Sequence, residues 1–375
     1  MTKNLQNTRR RFLGIAATTL AAAGLGMISL GRSQSGKKGA ASLPSTNSPS
    51  TSLPSAKGVL NSLKNANGWI NSNPLSATSL AGKVVLIDFC TYSCINWLRT
   101  LPYIRAWSEK YKDQGLVVIG IHTPEFEFEH NLENVRPALK AMKVEYPIAI
   151  DNDRSIWNAF DNQYWPALYL LDSHGRVRYH RFGEGDYVQG EKTIQQLLSE
   201  TRAGNISQEL VSINAPGIEA AADWNSLGSG ENYLGYQRTE HFSSPGGQVP
   251  DKHFAYNIPN VLTLNQWALS GDWTMQEHVI LLNQPQGQIG YQFHARDLHI
   301  VMASADKTKP IRFKVLIDGQ QPGAAHGIDT NEEGLGSVSE PRLYQLIRQP
   351  GPITDRRFTI EFLEPGLEAF SFTFG

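Results

Sequence analysis

The 375-residue sequence predicts two folded units in tandem, an α/β domain followed by an all-β sandwich. At roughly 100 to 200 residues per domain the length suits two. The texture then decides their class. Up to about residue 202, β-branched runs alternate with amphipathic helical stretches, whereas from about residue 215 helical periodicity disappears and short alternating strands recur between Gly and Pro breaks. The expected boundaries are 59–203 for the first unit and 204–375 for the second.

The elements of the first unit follow in order. "KVVLIDF" (83–89) and "GLVVIGIHT" (115–123) are β-branched runs without polar alternation, as expected of strands covered on both faces. Between them Ile95, Leu98, Leu101, Ile104, Trp107 and Tyr111 mark a helix, in which Pro102 predicts a kink. A second helix is expected over "NVRPALKAMKV", then a strand at "YPIAID" and a short helix at "SIWNAF". The strands "PALYLLD" and "VRYHRF" join at the turn "SHGR", and a helix over "GEKTIQQLLSETR" closes the unit. In the second unit, strands such as "QIGYQFHARDLHIVMA", "IRFKVLIDG" and "RRFTIEFLEPGLEAFSFTFG" predict two packed antiparallel sheets.

The N-terminus has a different character. Arg9, Arg10 and Arg11 precede an apolar run rich in Ala, Gly and Thr that ends near Leu30, the pattern of a twin-arginine export signal over residues 1–32. An uncleaved membrane anchor is the competing reading, since the run approaches the length of a span. Either places the remainder in the periplasm or another extracytoplasmic space. Residues 33–58, rich in Ser, Pro, Gly and Thr, read as a flexible linker. Net charge is −1 and only 18% of residues are charged, which leaves no long-range field to attract nucleic acid.

Chemistry concentrates in "IDFCTYSCINWLRTLP", residues 87–102, which holds both cysteines. Outside the cytoplasm the pair Cys90 and Cys94 is free to oxidise. A loop this short would stabilise the fold by only about 2 kcal/mol, so a purely structural staple is a weak reason to keep it. Cys94 falls where a strand gives way to a helix, and a helix N-terminus favours the thiolate. Ser93 or Thr91 is placed to cap the same end. His122 and His130 raise the question of a metal, but no second ligand pair accompanies them and the cysteine spacing is not that of zinc. No cofactor or metal is expected.

"VVLIDFCTYSCINWLRTLPYI", "GLVVIGIHTPEFEFE", "YPIAIDND" and "YWPALYLLDSHGRVRYHRFGEGDY" together resemble the thioredoxin-like TlpA class. "NYLGYQRTEHFSSPGG", "NQWALSGDW", "FHARDLHIVM", "GAAHGID" and "EPRLYQLIRQPGPI" resemble the domain that follows it in the exported C-terminal region of DipZ-type proteins, which are similar to cytochrome c biogenesis factors. The resemblance covers roughly residues 60 to 375. It implies a thioredoxin-like domain followed by a jelly-roll resembling carbohydrate-binding modules. The multi-pass electron-carrying portion of full DipZ proteins is expected to be missing.

Where the family junction typically reads F-W-T-Y-S-C-I-N-C, this chain carries Cys90 in place of Trp and Trp97 in place of the second Cys. The resemblance thus implies thiol-disulfide exchange with Cys94 as nucleophile, but a thioredoxin-type reductase also needs a second thiol to release its mixed disulfide. Three chemistries are open to such a site. Cys90 resolves across C-x-x-x-C, which requires "CTYSC" to fold back, since four extended residues span ~13 Å and a disulfide needs Cα atoms at ~4.4 to 6.8 Å. Alternatively Cys94 works alone with small or partner thiols, or the domain is a redox-inactive scaffold for partner or glycan recognition. A thiol peroxidase is a minor alternative: Thr91 stands three before Cys94 as in peroxiredoxins, but Ile87 occupies the proline position.

The resemblance also assigns supporting residues. Trp165 and Pro166 match the step whose proline is cis beside the reactive sulfur, and with Trp97 they are the expected substrate-binding residues. Glu125 matches an acidic residue held near the cysteines, a candidate for moving protons during exchange. The expected partners are extracytoplasmic protein thiols or disulfides and a membrane electron donor. A glycan is the candidate ligand of the second domain, through aromatic residues such as Trp224, Tyr233, Tyr236, Trp267, Trp273 and Tyr344, most of which a sandwich would use as core.

Overall fold

The computed structural model describes residues 58–201 and 206–375. The export signal and most of the linker lie outside the described residues. The first unit contains β1 (Gly68–Ile70), β2 (Val84–Cys90), α1 (Ile95–Tyr111), β3 (Leu116–His122), α2 (Leu132–Ala141), β4 (Ile148–Ile150), α3 (Ser155–Ala159), β5 (Ala167–Leu171), β6 (Val177–Phe182) and α4 (Tyr187–Thr201). Its sheet runs β1-β4-β3-β2-β5-β6, with β2, β3 and β4 parallel and the other pairings antiparallel.

All seven residues of β2 are buried, because helices cover both faces. Val84, Leu86 and Cys90 face a core built with α1, α2 and α4, while Val85, Ile87 and Phe89 face α3 and a 3-10 turn at Val59–Asn65. Pro102 sits inside α1, as the sequence predicts. The short strand β1 goes beyond the sequence expectation. Its three residues carry too little pattern to mark a strand, and they are held as an edge by antiparallel pairing with β4.

The second unit holds β7 (Asn232–Tyr233), β8 (His253–Tyr256), β9 (Trp267–Met275), β10 (Ile280–Leu282), β11 (Gly287–Phe293), β12 (Asp297–Ser304), β13 (Ile311–Ile317), β14 (Leu335–Val338), β15 (Arg342–Arg348), β16 (Arg356–Phe362) and β17 (Leu367–Phe374). The two packed antiparallel sheets are joined through one strand, so that a single hydrogen-bonded path runs β14-β13-β16-β11-β9-β10-β17-β12-β15. The strand β9 is the joint, since Trp267 to Ser270 pair with β11 while Gly271 to Met275 pair with β8 and β10. At the changeover Gly271 has φ +98, and a Cβ there would sit 3.0 Å from the Gly287 backbone. The two halves pack face to face through Tyr291, Phe358, Phe372 and Phe374. Trp267, Trp273 and Tyr344 are wholly buried in this unit, which removes them as glycan-stacking candidates, whereas Trp224 is exposed.

The β unit packs against the face of the α/β unit that carries α1. Phe370 packs against Phe126, tilted, and against Phe128, edge to face, at ring distances of 5.2 and 5.0 Å, and Val301, Ala303 and Leu343 join the same apolar cluster. Tyr92 donates its hydroxyl to the Pro341 carbonyl at 3.0 Å, and Arg105 pairs with both carboxylate oxygens of Glu219. Residues 206–219 run along α1 and α4, where Val211 donates its N–H to the buried Glu191.

Candidate functional site

The junction after β2 turns sharply. Cys94 donates its N–H to the Thr91 carbonyl at 3.3 Å, and its own carbonyl accepts the first helical bond, from Leu98 at 3.0 Å. Cys94 is therefore the N-cap of α1, and no side chain caps that end. The Ser93 hydroxyl is engaged elsewhere, donating to Glu129 Oε1 at 2.6 Å. The second oxygen of Glu129 accepts the N–H groups of Glu125 and Phe126 at 2.7 and 2.9 Å. This fully buried carboxylate ties the cysteine loop to the segment after β3, and burial raises its pKa. In the sequence "PEFEFE" Glu129 carries no signal that distinguishes it from Glu125, because alternating Glu and Phe leave open which carboxylates face inward.

Both thiols are free. Cys90 is completely enclosed, with its sulfur 3.6 Å from where a Cβ on Gly120 would stand. Burial and the neighbouring Asp88, Glu129 and Cys94 push its thiol well up. Cys94 is half-buried, with its sulfur 3.9 Å from the Trp165 carbonyl oxygen. The Trp165–Pro166 peptide bond is cis.

The expected thiolate at Cys94 needs correction. Burial, then the carboxylates of Glu125 and Glu231, push the thiol well up, and the N–H groups of Asn96 and Trp97 at the helix end pull it down by less. The helix terminus was legible in sequence. Glu231, supplied by the second unit, was not.

Trp97 also departs from its expected role. It is wholly buried on α1 and donates its indole N–H to Asp88 Oδ2 at 2.9 Å, so it offers no surface to a substrate. Asp88 lies beneath it on β2, also wholly buried, with the Tyr146 hydroxyl 3.4 Å away. Burial pushes its pKa up to about 7 against the pull of Trp97 and Tyr146. The cysteine-tryptophan exchange is thus a packing exchange. The small side chain sits on the strand beside Gly120, and the large one fills the core under the first turn of α1.

Glu125, the expected proton carrier, is held in the contact between the two units. Its Oε1 accepts the Tyr233 hydroxyl at 2.5 Å and lies 3.5 Å from Arg238, whose guanidinium stacks on the Tyr233 ring. The α/β and β units thus meet beside Cys94. His122 is buried, stacked on Tyr92, and burial lowers its pKa to about 4. Among the described residues no three or more His, Cys, Asp or Glu side chains converge as a metal set.

Residues 58–180 match the AhpC/TSA family, and residues 229–375 match the family described as thioredoxin like C-terminal domain. Over 325 residues the chain is 33% identical to Protein DipZ of Mycobacterium tuberculosis and of Mycobacterium bovis, an alignment covering 85% of this chain. The chain is a DipZ-like protein of the thioredoxin fold. It spans 43% of the length of those DipZ proteins. The DipZ-like chain is also 29% identical over 133 residues to thiol-disulfide oxidoreductase YkuV of Bacillus subtilis, covering 36% of this chain and 89% of YkuV. Thiol-disulfide oxidoreductase ResA of the same organism is 25% identical over 108 residues, covering 28% of this chain and 57% of ResA.

Proposed function

We propose that this DipZ-like chain is an exported thiol-disulfide oxidoreductase acting on extracytoplasmic protein thiols and disulfides, with Cys94 as its single working nucleophile. The observation that carries this reading is the placement of Cys94: of the two thiols it alone has access to solvent, at the N-cap of α1 beside the Trp165 carbonyl and Pro166. The names of YkuV and ResA support the reaction class. The arginine triplet and apolar run at the N-terminus support export. Cys90 is assigned to the core and not to resolution, because its sulfur is enclosed on the α1 side of the sheet. Trp165 and Pro166 form the wall against which a substrate disulfide would lie.

The test is exchange with a model protein disulfide. Cys94→Ser abolishes it, while Cys90→Ala keeps most of it in whatever fraction folds. Full activity in Cys94→Ser would sink the proposal. A redox-inactive scaffold is the second reading, favoured by the upward push on the Cys94 thiol. The pH profile of Cys94 alkylation separates the two. Working exchange requires a measurable thiolate rate by about pH 8 that grows tenfold per pH unit below the thiol pKa, whereas the scaffold predicts no reaction until the chain unfolds.

A further inference from the structure

Neither residue that would release a mixed disulfide from within is available at Cys94. Cys90 lies sealed in the core, and position 97 is occupied by a buried tryptophan bonded to Asp88. A catalytic cycle on Cys94 therefore needs a second thiol from outside, and that thiol needs a seat beside the sulfur.

A cleft of about 200 Å³ opens where the two units meet, with Glu125, Phe126 and Arg154 on one wall and Tyr233, Arg238 and Glu277 on the other. Cys94 does not line it, but two neighbours of the nucleophile do: Glu125, whose carboxylate acts on the Cys94 thiol, and Arg154, which packs on Trp165. The Cys94 sulfur lies against the Trp165 carbonyl, the Arg154 guanidinium lies 5.2 Å from the Trp165 ring, and Arg154 donates to the Pro124 carbonyl at 3.0 Å, next to Glu125. The volume is below the roughly 300 to 1,000 Å³ of sites for drug-sized ligands. It suits a substituent of amino-acid to short-peptide size and excludes a folded domain. The lining carries both signs: Arg154, which donates to the Pro124 carbonyl, and Arg238, which pairs with Glu125 and stacks on Tyr233, bring guanidinium groups that a ligand carboxylate would share, and Glu277, about half exposed and accepting from Gln237, brings a carboxylate that an ammonium would share. Phe126 and Tyr233, 6.3 Å apart, supply apolar sides.

We propose that this interdomain cleft binds the zwitterionic part of a low-molecular-weight thiol, so that the chain removes such thiols from mixed disulfides with proteins. The inference rests on Cys94 as nucleophile. The Cys94 thiolate attacks the small-thiol sulfur of a protein–S–S–X mixed disulfide. The Cys94–S–S–X bond forms, the original S–S bond breaks, and the protein thiolate leaves and takes up a proton. A second X–S⁻ then attacks Cys94–S–S–X, forming X–S–S–X and returning the Cys94 thiolate. In sum protein–S–S–X and one X–SH become protein–SH and X–S–S–X: the protein sulfur is reduced, one X–SH is consumed as reductant, and the second X of the product is the one carried in on the mixed disulfide.

The test reacts the reduced full chain with cystine, bis(2-hydroxyethyl) disulfide and dithiodiglycolate, follows the adduct on Cys94 by mass spectrometry, and divides each rate by that of a blocked cysteine in solution. Cystine, which carries both signs, is expected to react at least about tenfold faster than the neutral disulfide on this scale. Arg238→Gln and Arg154→Gln each reduce that ratio toward one. Because either arginine change could disturb the contact between the units, the exposed Glu277→Gln serves as a second variant. It is expected to slow cystine relative to dithiodiglycolate, which lacks an ammonium. Equal corrected rates for the three disulfides, or ratios unmoved by all three variants, would overturn the cleft while leaving Cys94 as nucleophile. No adduct from any of them at pH 8 would overturn both.

Discussion

At the level of single residues, Asp88 gives the chain a strong pH dependence. Its carboxyl is enclosed between β2 and α1, with Trp97 and Tyr146 at Oδ2 and no partner at Oδ1. Burial raises it from 3.8 to about 7. An unfolded chain ionises this group near pH 4 while the folded chain keeps the proton, so folding loses stability as pH climbs from about 4 to about 7 and carries the whole penalty above that. The penalty is roughly 4 kcal/mol by proton linkage. His122 works the other way: its folded pKa of about 4 lies below the ordinary 6.5, so stability rises with pH over that interval. Asp88→Asn removes the first effect and keeps the second. Denaturant unfolding at pH 5 and pH 8 should show the variant gaining on the parent at the higher pH by a few kcal/mol, and an equal difference at both values would rule the assignment out. Glu129 contributes in the same sense as Asp88, because burial raises it as well, so the parent's decline will not vanish entirely in the variant.

At the level of elements, the first turn of α1 holds the clearest lesson in what a sequence displays. The strands β2 and β3 were legible because sheets covered on both faces select unbroken β-branched runs. The exchange of Cys90 and Trp97 was legible too, but its physical meaning was not. Sequence reading placed Trp97 with substrate, and the fold places it in the core, where its indole N–H meets an aspartate nine positions back on the adjoining strand. That contact depends on the helix packing across the strand, which spacing along the chain does not encode. The thiol at Cys94 was misread for a related reason: the helix end is local in sequence, but Glu125 and Glu231 come from remote segments. Trp97→Cys tests what the turn retains. It places a thiol three residues after Cys94, on the first turn of the same helix, and removes the donor to Asp88. We expect a disulfide to Cys94 in oxidised protein and a gain in dithiol exchange, accompanied by a loss of about 3 to 5 kcal/mol in stability from the vacated ring volume. Peptide mapping after differential alkylation reads the first and thermal unfolding the second. A variant that folds but never forms the bond would mean that the turn has lost the geometry of a reductase.

At the scale of the whole molecule, the β unit acts on the chemistry by being packed against α1. Glu231 and Tyr233 bring charge and a hydrogen bond to the surroundings of Cys94 only while Phe370, on β17, stays wedged between Phe126 and Phe128. These two phenylalanines flank the same short segment that Glu129 ties to the cysteine loop. We expect the contact to couple the position of the sandwich to the exposure of the thiol. Phe370→Ala should cost about 3 to 5 kcal/mol and raise the alkylation rate of Cys94 well below the unfolding transition, because the remote carboxylates withdraw as the contact loosens. Phe358→Ala is the control. That ring packs inside the β core against Phe372, away from the α/β unit, so it should lower stability by a similar amount without changing Cys94 in the folded protein. Measured at equal distance from each variant's own midpoint, faster alkylation in the first variant alone supports control of the thiol by the second unit. Identical rates in both would mean that the sandwich stabilises the chain without governing its nucleophile.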